Sequence, residues 1–351
     1  MSQNIGKNTS CILVCGGAGY IGSHVCKALH HAGYMPITYD NLSNGHTWAV
    51  RWGPLEKGEM ADQHRLEEVM QKYRPEAVMH FAAFIEAGES VKEPVKFYAN
   101  NTAGSLSLLQ AMAKQGINKI VFSSTAAVYG DPRKIPIKEN HPHLPINPYG
   151  RSKLMVEQML SDIAQSIDLR YICLRYFNAA GADAESEIGE AHTPETHLIP
   201  LILQVASGLR SHISVYGDQY DTQDGTCIRD FIHVSDLAQA HLLAMEELFK
   251  KPVNKAYNLG SGSGFSVLEV INMIREVTGH PIPAHISTQR PGDPARLVAD
   301  SRKIMEELGW SPRYDLRGII ETAWKWMHYY VSNPLMFNPG ISGNPRKDVE
   351  K

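Results

Sequence analysis

No stretch of this chain approaches the roughly 18 consecutive apolar residues that a membrane-crossing helix needs, so no membrane span is expected. Basic runs are missing too. The 34 Lys and Arg are matched by 37 Asp and Glu, a net charge of −3, which gives electrostatics no grip on nucleic acid or a membrane surface. Cysteine is scarce. Cys11, Cys15, Cys26, Cys173 and Cys227 are odd in number and mostly sit in apolar runs, which fits buried free thiols in a reducing cytoplasm rather than disulfides or zinc ligands. Among 16 histidines, the pairs His30-His31 and His141-Pro-His143 lack a second ligand group at suitable spacing, so no metal is expected. Met1 to Ser10 are polar, lack the apolar core of a signal peptide, and read as a short disordered leader. Residues 338–351 read as a frayed polar tail, and no internal repeat is visible.

What is present is ordinary for a globular enzyme: 43% hydrophobic and 20% charged residues. At 351 residues the chain exceeds one core, so two lobes are expected. A short apolar run (Ile12, Leu13, Val14) ends in Gly16-x-x-Gly19-x-x-Gly22, and an apolar-periodic segment (Ile21, Val25, Leu29) begins at once. That is a buried strand turning into a helix whose free N–H groups and positive dipole end face an anion. Gly16 allows the turn, Gly19 lets a pyrophosphate approach, and Gly22 lets helix and strand pack closely. A second strand-like stretch ends at Asp40, 18 residues beyond Gly22, where an acid suits the ribose hydroxyls and repels a 2′-phosphate. The site reads as one for NAD rather than NADP.

Strand patterns at 11–15, 35–39, 77–81, 118–123 and 169–174 alternate with helical ones at 20–32, 62–73, 92–115 and 149–165. This predicts an α/β fold: a doubly wound parallel (Rossmann) sheet over residues 10–178, to which the chain returns around 228–250. Ligands should lie beyond the carboxyl ends of its strands, at 16–22, 40–45, 81–85 and 123–125. Residues 179–197 read as a functional loop. Helices at 198–209, 235–249, 266–278 and 315–331, with strands at 213–216 and 227–233, make 179–345 mainly a smaller α/β substrate lobe.

Tyr149-Gly-Arg-Ser-Lys153 opens a helix, and a spacing of four puts the phenol and the ammonium on one face. A cation beside a phenol favours phenolate and lowers its pKa from about 10 towards neutrality, giving a usable base. Thr125, at the end of Val121-Phe-Ser-Ser-Thr125, places a hydroxyl at the sheet's carboxyl edge, able to bridge a substrate hydroxyl and Tyr149. Ser123 and Ser124 fit either that edge or local backbone bonds.

Gly16-x-x-Gly19-x-x-Gly22, Asp40-Asn-Leu42, His80-Phe-Ala-Ala83, Asn100-Asn101, Ser124-Thr125 and Tyr149-x-x-x-Lys153 resemble the extended short-chain dehydrogenase/reductase superfamily. Within it, Gly88-Glu-Ser90, Leu174-Arg-Tyr-Phe-Asn178, Thr196-His-Leu-Ile-Pro200, Arg229-Asp-Phe-Ile-His233 and Arg290-Pro-Gly-Asp293 resemble the UDP-glucose 4-epimerases, over residues 10 to 330. The resemblance implies that NAD is held by Gly16, Gly19, Tyr20, Ile21 and Gly22, with Asp40, Asn41, Ser43, Asn44 and Gly45 on the adenosine side. Glu59 and Met60 would flank the adenine. Phe81, Ala82, Ala83, Asn100, Ser123 and Tyr176 would follow the pyrophosphate and nicotinamide ribose, with Tyr149 and Lys153 beside that ribose. It also implies that Asn178, His197, Leu198, Ser214, Tyr216, Arg229, Arg290 and Asp293 hold UDP, the two arginines clamping its diphosphate. Two positions depart from the pattern. Ile85 replaces a lysine common near the nicotinamide phosphates, and Leu297 replaces a bulkier residue, often tyrosine, that sets the size of the hexose pocket.

The implied reaction inverts C4 of a UDP-hexose. Tyr149 takes the C4 hydroxyl proton through or alongside Thr125, hydride passes to bound NAD, and the 4-keto sugar rotates and is reduced on its other face. UDP-glucose and UDP-galactose are the expected pair, with UDP-N-acetylglucosamine a further candidate at Leu297. A 4,6-dehydratase or decarboxylase is the rival; dehydratases carry Asp-Glu after the catalytic threonine, where this chain has Ala126-Ala127. A non-catalytic NAD sensor would have no reason to keep Tyr149, Lys153 and a diphosphate clamp. Apolar residues on more than one face of 92–115 and 149–165, whose counterparts pair subunits in the resembled family, point to a homodimer.

Overall fold

The structure, a computed structural model, describes residues 10–290 and 293–337; the leader up to residue 9 and the tail 338–351 lie outside the described residues. Strand β1 (Cys11–Cys15) is buried along almost its whole length, as a central parallel strand requires. After it come α1 (Tyr20–His31), β2 (Met35–Asp40), β3 (Leu55–Lys57), α2 (Gln63–Tyr73) and β4 (Ala77–His80). Then follow α3 (Ala87–Lys92), α4 (Pro94–Phe97), a π-helical stretch (Tyr98–Ala103) and α5 (Gly104–Gln115). β5 (Lys119–Thr125), α6 (Pro148–Ser166) and β6 (Arg170–Tyr176) complete the run.

These strands form one parallel sheet in the order β3-β2-β1-β4-β5-β6, and Asn254–Leu259 adds a seventh strand beside β6. Along β1, Ile12 and Val14 enter the core under α1 and the helix Val234–Lys250, while Leu13 and Cys15 enter the core under α2, α5 and α6. The order reverses between β1 and β4, the topological switch point where such sheets open a crevice for ligands.

The second lobe is built on the strand Ile228–His233. Asn178–Ala180 and Arg296–Leu297 pair with it in parallel, and Gly264–Ser266 antiparallel. A separate parallel pair joins Ile213–Tyr216 to Ala284–Ser287. Helices Leu198–Ala206, Val267–Thr278 and Leu316–Ser332 share a core of Ile202, Leu203, Ile271, Ile274 and Ile320.

Several elements differ from the sequence expectation. The helix expected over 92–115 starts at Pro94, where proline suits a first turn, and carries the π-helical stretch. The helix expected to reach 209 ends at Ala206, three residues earlier. The strands at 55–57, 178–180, 254–259 and 296–297 carry no alternating apolar signal long enough to read. Among the described residues no helix is long and apolar enough to cross a membrane, and none of the five cysteines forms a disulfide.

Candidate active site

Gly16 sits at φ +80°, and a Cβ there would lie 2.6 Å from the Ala82 amide nitrogen. A Cβ on Gly22 would lie 2.1 Å from the Gly16 carbonyl oxygen. Both glycines are therefore required by close backbone approach. Gly19, by contrast, meets only that same oxygen, at 3.4 Å, and caps α1 without a side-chain partner. No acid occupies the first turn of α1, so its N–H groups remain available to a pyrophosphate. The residues present fit a dinucleotide.

A cavity of about 330 Å³ runs from this loop across the switch point. It is lined by Gly16, Gly19, Tyr20, Ile21, Gly22, Asp40, Asn41, Ser43, Asn44, Gly45, Met60, Phe81, Ala82, Ala83, Asn100, Thr125, Tyr149, Tyr176, Asn178 and His197, all expected from sequence. Asp40 accepts the Ala18 N–H at 3.0 Å and the Leu42 N–H at 2.8 Å, one on each oxygen. Burial raises its pKa against those two bonds. Each oxygen keeps a lone pair for a ribose hydroxyl. Glu59 is not on the wall; its carboxylate takes the Asn41 amide at 2.8 Å. Asn101 holds the backbone of Phe84 through both N–H and C=O, at 2.9 Å each, and so fixes the segment after β4 that lines the cavity.

At the other end of the cavity Tyr149 lies beside Thr125, whose Oγ1 accepts the Ala127 N–H at 3.1 Å. Lys153 is buried behind them, donates to the Ser123 carbonyl at 2.9 Å, and lies 4.9 Å from the centre of the Phe122 ring. The sequence led us to expect a phenol with a lowered pKa. Instead burial pushes Tyr149 up to about 12, which the neighbouring Thr125 hydroxyl offsets only in part and Glu86 reinforces. Burial likewise pulls Lys153 down to about 7, against the attraction of Glu157. The protein's own groups thus hold a neutral phenol in the wall and, one helical turn on and outside the wall, a weakly basic amine, and desolvation is the reason. Ser123 hydrogen-bonds the Tyr176 hydroxyl at 2.5 Å, and Ser124 donates to Glu157, so Ser124 belongs to the framework.

The remaining expected residues lie outside this wall, in the second lobe. Leu198 opens the helix that follows His197. Arg229 is ion-paired with Asp293 and does not form a matched clamp with Arg290. Arg290 instead lies 3.9 Å over the ring of Tyr216, another residue expected to hold UDP. Such an exposed cation–π contact is worth about 0.5–1 kcal/mol, less than a charged bidentate pair with a diphosphate. Ser214 shares the strand of Tyr216. Leu297 is paired in register with Arg229 and packs against the buried cluster of Ala126, Val128, Tyr129 and Ile137, as Phe177 also does. Three neighbouring strands therefore carry Asn178, Arg229 and Leu297, tying the cavity to the second lobe.

Phe84 and Ile85 line the wall within the stretch 81–85 expected to do so, whereas Glu86, Phe177 and the pair Glu190 and His192 were not singled out in the sequence. Glu190, His192, Glu195 and His197 place their ligand atoms within 4.8 Å of one another. Burial opposes a charge on His197, yet Glu190 and Glu195 push its pKa up to about 10. The signal, Glu-x-His-x-x-Glu-x-His in a segment without periodicity, was present but was read only as a loop.

Residues 12–260 match the NAD dependent epimerase/dehydratase family. The UDP-glucose 4-epimerase of Rhizobium leguminosarum bv. trifolii is 54% identical over 315 residues, covering 90% of this chain and 96% of that protein. The crystal structure of UDP-glucose 4-epimerase from Brucella ovis in complex with NAD superposes with a TM-score of 0.88 at 51% identity, over 90% of this chain and 98% of that one. A Stenotrophomonas maltophila UDP-glucose-4-epimerase with bound NAD and formylated UDP-arabinopyranose gives 0.90 at 40% identity, over 93% and 99%.

Proposed function

Because this chain belongs to the NAD dependent epimerase/dehydratase family, we propose that it interconverts UDP-glucose and UDP-galactose by inverting C4 through a 4-keto sugar. The observation that carries this reading is that Tyr149 and Thr125 lie side by side in the wall of the same cavity as the glycine loop and Asp40. When bound, oxidised NAD supplies a reversible hydride acceptor and a positive charge beside the phenol. Thr125 then orients the C4 hydroxyl, Tyr149 receives its proton, and the same phenol returns the proton when the ketone is reduced on its other face. Lys153, drawn down by burial, charges most readily beside a phenolate, so the two groups support one another. Asp40 selects NAD over NADP by opposing a 2′-phosphate.

Residues 10–178, rejoined around 228–250, serve the cofactor, and 179–345 mainly serve the UDP-sugar. There Arg229 and Arg290 take the diphosphate after exchanging Asp293 and Tyr216, Asp293 is freed for ribose hydroxyls, and Asn178, His197, Leu198 and Ser214 complete the site. Ala126-Ala127 have no proton to transfer, which disfavours dehydration. The exposed apolar side chains Val91, Val95, Leu106 and Met155 lie on α3, α4, α5 and α6 and support a homodimer through these helices. Cysteines without disulfides fit a cytoplasmic enzyme.

The test is to incubate the purified protein with UDP-galactose and follow conversion to UDP-glucose by NMR, beside Tyr149→Phe. We expect conversion by the native protein and a loss of about 10²- to 10⁴-fold in the variant, the range for removing a general base, with NAD still released on denaturation. A variant within a few-fold of the native kcat would remove Tyr149 from the role.

A further inference from the structure

We propose that Glu190, His192, Glu195 and His197 form a zinc site in the wall of the nucleotide cavity. The four come from one segment of eight residues, and two of its contacts fix its position. Trp326 Nε1 donates to the Glu190 carbonyl at 2.8 Å, and the His46 ring meets the Ala191 carbonyl at 2.7 Å. His192 Nδ1 lies 3.1 Å from Glu190 and 3.9 Å from Glu195; His197 Nδ1 lies 2.8 Å and 3.0 Å from the same carboxylates. Zinc with ligands at about 2.0–2.1 Å in a tetrahedron separates neighbouring ligand atoms by about 3.3 Å. The cluster is thus already near the size that zinc needs.

Charge and donor type agree. Two carboxylates cancel a divalent ion and two neutral imidazoles complete its shell, an N₂O₂ set that suits zinc better than magnesium or calcium, which take oxygen ligands. Both glutamate side chains are more than nine-tenths buried, and among the described residues their ion-pair partners are His192 and His197 rather than a lysine or arginine, so an ion would take the place of the His197 proton. The nearby acids Asp183, Glu185 and Glu187 make the contrast. Lys27 sits among all three at 2.8–2.9 Å and supplies their counter-charge, so they need no ion. An ion at the first cluster would fasten the loop that leads into the helix Leu198–Ala206. Its role is structural: it would hold in place the loop that brings His197 to the UDP-sugar site proposed above.

The experiment uses the full chain with its retained NAD, dialysed against a chelator and then titrated with zinc chloride. We expect one tightly held zinc per chain, a higher Tm on loading, and an X-ray absorption shell of nitrogen and oxygen at about 2.0–2.1 Å. His192→Gln/Glu195→Gln should abolish the uptake, and Glu185→Gln should leave it intact. Native protein with no stoichiometric zinc, a sulfur shell, or equal uptake by the double variant would each overturn the site. Should the double variant not fold, the absorption spectrum of the native protein alone decides.

Discussion

Gly22 shows how little freedom the cofactor loop has. The atom that an added Cβ would meet, at 2.1 Å, is a backbone carbonyl of the same loop, so no side-chain rotation can relieve the contact. Gly22→Ala should destabilise the fold by about 1–3 kcal/mol, as overpacking does, and should lower the NAD retained through purification. Urea unfolding and the NAD released on denaturation measure the two effects; an unchanged NAD content would mean that the loop does not hold the cofactor. Leu297 carries a prediction about substrate breadth. It packs against the buried cluster Ala126, Val128, Tyr129 and Ile137, on which Phe177 of the cavity wall also rests, so a larger residue at 297 should take up room on the side of the cavity where Phe177 lies. An acetamido group needs empty space rather than compression. We expect native turnover of UDP-N-acetylglucosamine as well as UDP-glucose, and Leu297→Tyr should abolish the former while sparing the latter. Comparing kcat/KM for both pairs in both proteins decides; a native enzyme inactive on the N-acetylhexosamine refutes the idea.

At the scale of elements, α6 joins chemistry to framework. Asn147 caps it by accepting the Gly150 N–H at 2.8 Å, Pro148 opens it, and steps of four place Tyr149, Lys153 and Glu157 along one face. Glu157 meets Arg175 of β6 at 2.5 Å, both side chains buried, and Arg175 also donates to the Tyr129 hydroxyl at 2.9 Å. Arg175→Met would leave a buried carboxylate without a cation, which costs about 3–5 kcal/mol. Adding Glu157→Met should recover much of that loss. Urea midpoints for the single and double variants test this, and a double variant no better than Arg175→Met would show that the pair is not the source. The cap, the apolar period and Tyr149-x-x-x-Lys153 made α6 legible in the sequence, but its partner on β6 was not, because a contact 18 residues away leaves no periodic trace. The strand Asn254–Leu259 escaped for a similar reason: its residues Asn-Lys-Ala-Tyr-Asn-Leu lack an apolar run, and β6 recruits it through backbone pairing. Glycine loop, Asp40 and Thr125 were legible because each answers to local geometry. The gathering of Glu190, His192, Glu195 and His197 was not, since their spacing fits neither a helix nor a strand.

Across the whole molecule, buried histidines set how stability responds to acid. Burial lowers His80 to about 3, with Lys153 adding to the effect, and lowers His233 to about 3 and His241 to about 4. His233 shows why protonation is costly. Its Nδ1 accepts the Ser235 N–H at 3.0 Å, capping the helix Val234–Lys250, while its Nε2 meets Thr322 at 2.9 Å and its ring stacks 3.7 Å from Tyr314. A second ring proton would remove the acceptor and break the cap. His241 packs against Phe81 of the cavity wall, its ring tilted by 43° with ring centres 4.7 Å apart. The unfolded chain takes up protons at these three positions near pH 6.5, and the folded chain only near pH 3 to 4. Their contribution is therefore complete above about pH 6.5 and is lost as pH falls from there towards the folded values. Each can add at most about 1.4 kcal/mol per pH unit to the slope. Urea unfolding at intervals from pH 7 to pH 5 should show falling stability, and His241→Phe, which keeps an aromatic ring but cannot titrate, should make the fall shallower. A native protein equally stable at both ends, or a variant with an unchanged slope, would mean that these rings are not the groups that take up the protons.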